Sequence, residues 1–125
     1  MKILIAEDNP LNKFLMSKFM MRLAWDYEIA DTGLQAIQFC KSGDFDAILM
    51  DIDLPVLDGV EATRQIRSFN SIIPIIAITA YTDEKMKSAC AEAGMTYFLA
   101  KPCSCETIRS TITEYAKTNT FQGAV

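Results

Sequence analysis

The chain has no histidine among its 125 residues. That removes the imidazole as nucleophile, general base or metal ligand. It also lacks a long apolar run: nothing approaches the ~20 residues that a membrane span needs. The opening MKILIAEDN reaches its acids by position 7, so it has neither the apolar core nor the cleavage site of a signal peptide. Positive charge is in deficit, with 12 Lys and Arg against 16 Asp and Glu and a net charge of −4. Neither nucleic acid nor a membrane is therefore expected as a direct partner. Cysteine is present four times, at Cys40, Cys90, Cys103 and Cys105, with irregular spacing. Cys103-Ser104-Cys105 has no second Cys/His pair to complete a metal site, so reduced thiols in a cytoplasmic protein are expected. No linker, repeat or low-complexity segment is visible.

What is present suits one compact domain. Half of the residues are hydrophobic and 22% are charged. Strand and helix patterns alternate five times. Lys2–Ala6 is a short apolar strand. Asn9 caps a helix with Pro10 at its first position, running to about Leu23, with Leu11, Leu15, Phe19 and Leu23 along one face. Tyr27–Ala30 is a second strand, and Thr32-Gly33 turns into a helix through about Lys41. Asp46–Met50 is the third strand, followed by a helix from Gly59 to about Arg67. Pro74–Thr79 is apolar on both faces, as a central parallel strand should be. Thr82 is expected to cap the fourth helix, which Gly94 ends. Thr96–Ala100 is the fifth strand. Ser104 caps the last helix, whose Ile108, Ile112, Tyr115 and Ala116 share a face. Residues 119–125 read as a tail outside a domain of residues 1–118. Met1 directly before the first strand suggests a stand-alone protein or an N-terminal domain.

Strands that alternate with helices pair in parallel through right-handed crossovers. Five units predict an α/β, doubly wound sheet in the order 2-1-3-4-5, a flavodoxin-like fold, with its site at the carboxyl ends of the strands. The tips of strands 1, 3, 4 and 5 then bring Glu7, Asp8, Asp51, Thr79 and Lys101 to one edge. Strand two ends in Asp31-Thr32-Gly33, which reads only as a turn. Three neighbouring carboxylates repel, and at least one should hold a proton unless a cation is bound. Oxygen ligands without histidine or a thiolate pair suggest Mg²⁺, with Mn²⁺ or Ca²⁺ as alternatives. A cation, a lysine and a hydroxyl around one carboxylate form a set for phosphoryl transfer to that carboxylate, Asp51. Each residue also has a plainer role: Glu7-Asp8 as a cap, Asp51 as a turn residue, Thr79 as a strand end, Lys101 as a solvated lysine. Their coincidence at four adjacent tips is what favours a site.

The stretches ILIAEDNPLN, ADTGLQAI, AILMDIDLPVLDGVEATRQIR, PIIAITA and AGMTYFLAKP resemble the receiver domain of two-component response regulators. Their phrasing is closest to receivers of hybrid histidine kinases and phosphorelays. The resemblance implies that Asp51 is the phosphoacceptor, that Asp8 ligates Mg²⁺ directly and Glu7 through water, and that Asp53 offers its backbone carbonyl. It implies that Thr79 bonds a phosphoryl oxygen in the activated state and that Lys101 pairs with the phosphate. The peptide into Pro102 is expected to be cis. The donor is expected to be a phosphohistidine on a histidine kinase or a histidine phosphotransfer domain. Thr79 and Phe98 are the expected switch pair, and Asp53 and Tyr81 the expected modulators of phosphoryl lifetime. The chain departs from the family pattern at Phe98, where tyrosine is common, at Leu54, where methionine is common, and at the acid Asp53.

Two other classes compete. Asp51-Ile52-Asp53 after an apolar strand also resembles the nucleophile motif of haloacid-dehalogenase-like phosphatases, with Asp53 as acid/base. That motif normally sits on the first strand, and the chain has no room for a cap insertion. A flavodoxin-like electron carrier needs a Ser/Thr/Gly-rich phosphate loop after strand one, where Glu7-Asp8 would repel the phosphate.

Overall fold

The computed structural model describes residues 1–116 in full, and of residues 117–124 the helical backbone alone. The expected tail, 119–125, lies outside the residues described in full. The elements alternate without exception: β1 (Lys2–Ala6), α1 (Pro10–Leu23), β2 (Asp26–Ala30), α2 (Gly33–Ser42), β3 (Ala47–Asp51), α3 (Gly59–Arg67), β4 (Ile75–Thr79), α4 (Glu84–Ala93), β5 (Tyr97–Ala100) and α5 (Cys105–Ala124). All strand pairs are parallel, in the order β2-β1-β3-β4-β5. This is the expected sheet, and its switch point lies between β1 and β3.

The central strands β3 and β4 are buried along their whole length, because helices cover both faces of the sheet. One core layer joins Leu4, Ile48, Met50 and Ile75 to Ile37 of α2 and Ile66 of α3. The other joins Ile3, Ile5, Leu49, Ile76 and Ile78 to Met16 and Met20 of α1 and Ile108 and Ile112 of α5. Alternation along each strand therefore feeds two cores, one above and one below.

The helix starts follow the expected chemistry at most positions. Asn9 Oδ1 accepts from the Asn12 N–H at 3.0 Å, with Pro10 opening α1. Ser104 Oγ accepts from the Thr107 N–H at 3.1 Å. The peptide between Lys101 and Pro102 is cis. The four cysteines are free.

Two expectations need correction. The cap of α4 is Asp83, not Thr82: its Oδ1 accepts from the Met86 N–H at 2.7 Å. Both neighbours can cap, and the carboxylate wins because it is the residue in register with a helix starting at Glu84. The inward face of α1 is set by Met16 and Met20, with Phe19 and Leu23 partly buried beside them. Leu11 is 74% exposed, and Leu15 also faces out. Apolar residues lie all round this helix, so its periodicity carries little information about which side meets the sheet.

Candidate functional site

The carboxyl edge of the sheet gathers the charged tips. Glu7 and Asp8 follow β1, Asp51 ends β3 and Lys101 follows β5. One carboxylate oxygen each from Glu7, Asp8 and Asp51 lie within 4.8 Å of one another. The Lys101 ammonium donates to Glu7 Oε1 at 2.9 Å and to Asp51 Oδ2 at 3.0 Å. These groups open onto a cleft of about 450 Å³ that Asn9, Asn12 and Asp53 also line.

Burial decides the electrostatics. Asp51 is 7% exposed and Glu7 3%, whereas Asp8 is open to solvent. Burial pushes the Asp51 carboxyl up to about 6 and the charge of Glu7 adds to the rise; the Lys101 hydrogen bond and the Asp53 N–H oppose it. Burial works against the charge on Lys101, but its hydrogen bonds to Glu7 and Asp51 outweigh that and raise its pKa. One lysine thus only partly offsets three acids. This donor set, all oxygen and net negative, fits a hard divalent cation better than a thiolate-seeking one.

The remaining expected residues are placed differently. Asp53 sits on the loop after β3, and its N–H donates to Asp51 Oδ1 at 3.1 Å. Thr79 ends β4 and is 1% exposed; its Oγ1 accepts from the Tyr81 N–H at 3.0 Å. Tyr81 is half exposed, and the Asp53 carboxylate beside it raises the phenol's pKa. Phe98 is not at the cleft. It pairs in register with Ala77, packs in a small cluster with Ile52 and Cys90, and lies 5.9 Å from the Lys87 ammonium. A cavity of about 520 Å³ between α4 and β5 borders its ring.

Two glycines matter more than their turn chemistry suggested. A Cβ at Gly59 would lie 2.2 Å from the carbonyl oxygen of Asp51. Only glycine lets α3 begin against the backbone of the residue that carries the central carboxylate. The Gly59 N–H also donates to the Ile52 carbonyl at 2.9 Å. A Cβ at Gly33 would lie 2.0 Å from the Leu57 carbonyl oxygen. The dipeptides Asp58-Gly59 and Thr32-Gly33 were legible as helix starts, whereas the close approach of a second chain segment was not.

The family model of the response regulator receiver domain matches residues 3–113. The chain belongs to this family. The receiver is 36% identical to the receiver domain of the sensor histidine kinase PA1611 from Pseudomonas aeruginosa, with a TM-score of 0.88, over 93% of this chain and 97% of that one. That structure is described as having a magnesium ion coordinated in the active site cleft. The receiver domain of Ssk1 from Saccharomyces cerevisiae, co-crystallised with the histidine phosphotransfer protein Ypd1, is 30% identical with a TM-score of 0.86. That match covers 93% of this chain and 88% of the solved one. Among full-length relatives, the Escherichia coli sensor histidine kinase RcsC is 32% identical over 117 residues. LuxQ of Vibrio parahaemolyticus, an autoinducer 2 sensor kinase/phosphatase, is 40% identical over 103 residues. The receiver matches 94% and 82% of its own length in these two, but spans only 12% of the length of either relative. As a receiver it is a phosphoryl-accepting signalling switch of two-component and phosphorelay systems, not a haloacid-dehalogenase-like phosphatase. No described helix is long and apolar enough to cross a membrane.

Proposed function

We propose that Asp51 receives the phosphoryl group and that residues 1–118 form the functional unit, with 119–125 as a tail. The observation that carries this is the convergence of Glu7, Asp8 and Lys101 on a buried carboxylate whose pKa burial raises. Asp8 and Asp51 offer carboxylate oxygens to Mg²⁺, Glu7 acts through water, and Asp53 contributes its backbone carbonyl. The ion, when bound, neutralises charge on the carboxylates and on the incoming phosphoryl group. The magnesium in the related PA1611 receiver supports this assignment.

The donor is a phosphohistidine on a histidine kinase or a histidine phosphotransfer domain, a partner class supported by the Ypd1–Ssk1 complex. The phosphorus–nitrogen bond breaks as an Asp51 oxygen bonds to phosphorus; its electron pair stays on the donor's nitrogen, and the imidazole leaves neutral because its other ring nitrogen already carries a proton. Lys101 then exchanges a carboxylate partner for a phosphoryl oxygen. The Thr79 hydroxyl turns from the Tyr81 N–H toward the phosphoryl group, which leaves room for Phe98 to turn inward. Output is a population shift on the face made by α4, β5 and α5. The protein catalyses its own phosphorylation and slow dephosphorylation in the cytoplasm but is not a turnover enzyme.

The test is transfer from a phosphorylated histidine phosphotransfer domain. Label should leave the donor and appear on Asp51 with Mg²⁺ and stay on the donor with EDTA. Transfer that is indifferent to EDTA would refute the metal assignment. Label on another residue would refute the assignment of Asp51.

A further inference from the structure

Strand β2 sends no side chain into the cleft, yet the corner that follows it touches two segments that build the cleft. The Ala30 carbonyl accepts from the Glu7 N–H at 3.0 Å, which fixes the backbone under the acid pair. Three residues on, the buried Gly33 faces the loop after β3. A Cβ there would lie 2.0 Å from the Leu57 carbonyl oxygen, 2.8 Å from its carbon and 3.2 Å from the Asp58 oxygen. All three are backbone atoms, so no side chain can swing aside to make room. Gly33 does not have the left-handed φ that would call for glycine on conformational grounds. What the position requires is empty space.

The loop that Gly33 supports is bonded to itself and to Asp51. Within it, the Leu54 N–H donates to Ile52 at 3.1 Å, Leu57 to Pro55 at 2.7 Å and Gly59 to Ile52 at 2.9 Å. Its near end is the Asp53 N–H, which holds Asp51 Oδ1 at 3.1 Å. A push at Leu57 is therefore transmitted through a short, internally bonded segment to the phosphoacceptor's carboxylate and to the Asp53 carbonyl.

We propose that Gly33 is a positioning residue for the phosphoryl-accepting site: its bare α-carbon lets the start of α2 seat the loop Ile52–Asp58 so that Asp51 and Asp53 face the cleft. The consequence for metal binding rests on the Mg²⁺ assignment made above; the consequence for the loop does not.

The experiment compares Gly33→Ala with Thr32→Ala. Thr32 Oγ1 caps α2 by accepting from the Gln35 N–H at 3.0 Å, so its loss weakens the same helix without adding bulk toward the loop. In metal-free protein, Gly33→Ala should shift the amide resonances of residues 51–59, while Thr32→Ala should not. Mg²⁺ affinity should fall roughly tenfold in Gly33→Ala, the scale seen when a metal ligand's support is disturbed, and stay at the wild-type value in Thr32→Ala. Unmoved 51–59 resonances in Gly33→Ala, or an equal loss of affinity in both variants, would overturn the proposal. A wild-type protein that fails to bind Mg²⁺ would count against the metal assignment, while the metal-free shifts would still decide the role of Gly33. If Gly33→Ala does not fold, the pair Gly33→Ala with Leu57→Gly frees the loop to yield. That pair should fold and still bind Mg²⁺ more weakly than Leu57→Gly alone; equal affinity would overturn the proposal.

Discussion

Lys101 reaches Asp51 from the far side of β4: its ammonium lies 3.0 Å from Asp51 Oδ2 and 2.9 Å from Glu7 Oε1. One cation thus bridges the two buried acids, yet the Asp51 carboxyl still stands near 6, above its ordinary 3.8, because burial outweighs the lysine. Folding therefore favours the protonated carboxyl. The stabilising contribution of this group is complete below about pH 4 and is lost as the pH rises through 6. A divalent cation needs the ionised form, so protons compete with it. Mg²⁺ affinity should be about tenfold lower at pH 5 than at pH 7. Isothermal titration at both pH values checks this, and Asp51→Asn should flatten the dependence. An affinity that does not change with pH would show that Asp51 is ionised throughout.

Tyr81 and Asp53 are expected to set how long the phosphoryl group lasts. Hydrolysis needs a water in line with the scissile phosphorus–oxygen bond. We expect the half-exposed Tyr81 ring, beside the Asp53 carboxylate, to obstruct that approach once Asp51 is phosphorylated. Tyr81→Ala should shorten the phosphoryl lifetime about tenfold, a barrier change of about 1.4 kcal/mol. Phosphate release from purified phosphoprotein at fixed Mg²⁺ measures it. An unchanged or longer lifetime would defeat the steric account. Tyr81→Phe separates the ring from its hydroxyl, and it should keep most of the protection if sterics dominate.

Val56 has a φ of 68° and is 81% exposed. A β-branched residue in the left-handed region is strained, and here no burial offsets the cost. Val56→Gly removes the strain but gives the unfolded chain more freedom. The net expectation is a gain of about 1 kcal/mol in stability, read by urea unfolding. A loss would mean that the turn from Pro55 to Leu57 holds its shape through the valine side chain.

Which parts of this molecule could be read in its sequence follows from how local each signal is. The strand order and the five polar tips were legible, because alternation and parallel pairing leave few arrangements and each tip directly follows an apolar run. The Asn9 and Ser104 caps were legible for the same reason. The inward face of α1 was not, since Leu11, Phe14 and Leu15 are apolar and exposed alongside the buried Met16 and Met20. The Asp83 cap was missed because Thr82 offers the same chemistry one residue earlier. Gly33 and Gly59 looked like ordinary helix starts. Their need for empty space comes from Leu57 and Asp51, distant or turned away in the sequence and visible only in three dimensions.

The central claim is that Asp51 is the phosphoacceptor and that its acceptance depends on a divalent cation. Intact mass after incubation with acetyl phosphate tests both at once. The account predicts the addition of one phosphoryl group with Mg²⁺, none with EDTA, and none in Asp51→Asn. An Asp51→Asn protein that gains the same mass as wild type, or wild type that gains it equally in EDTA, would contradict it.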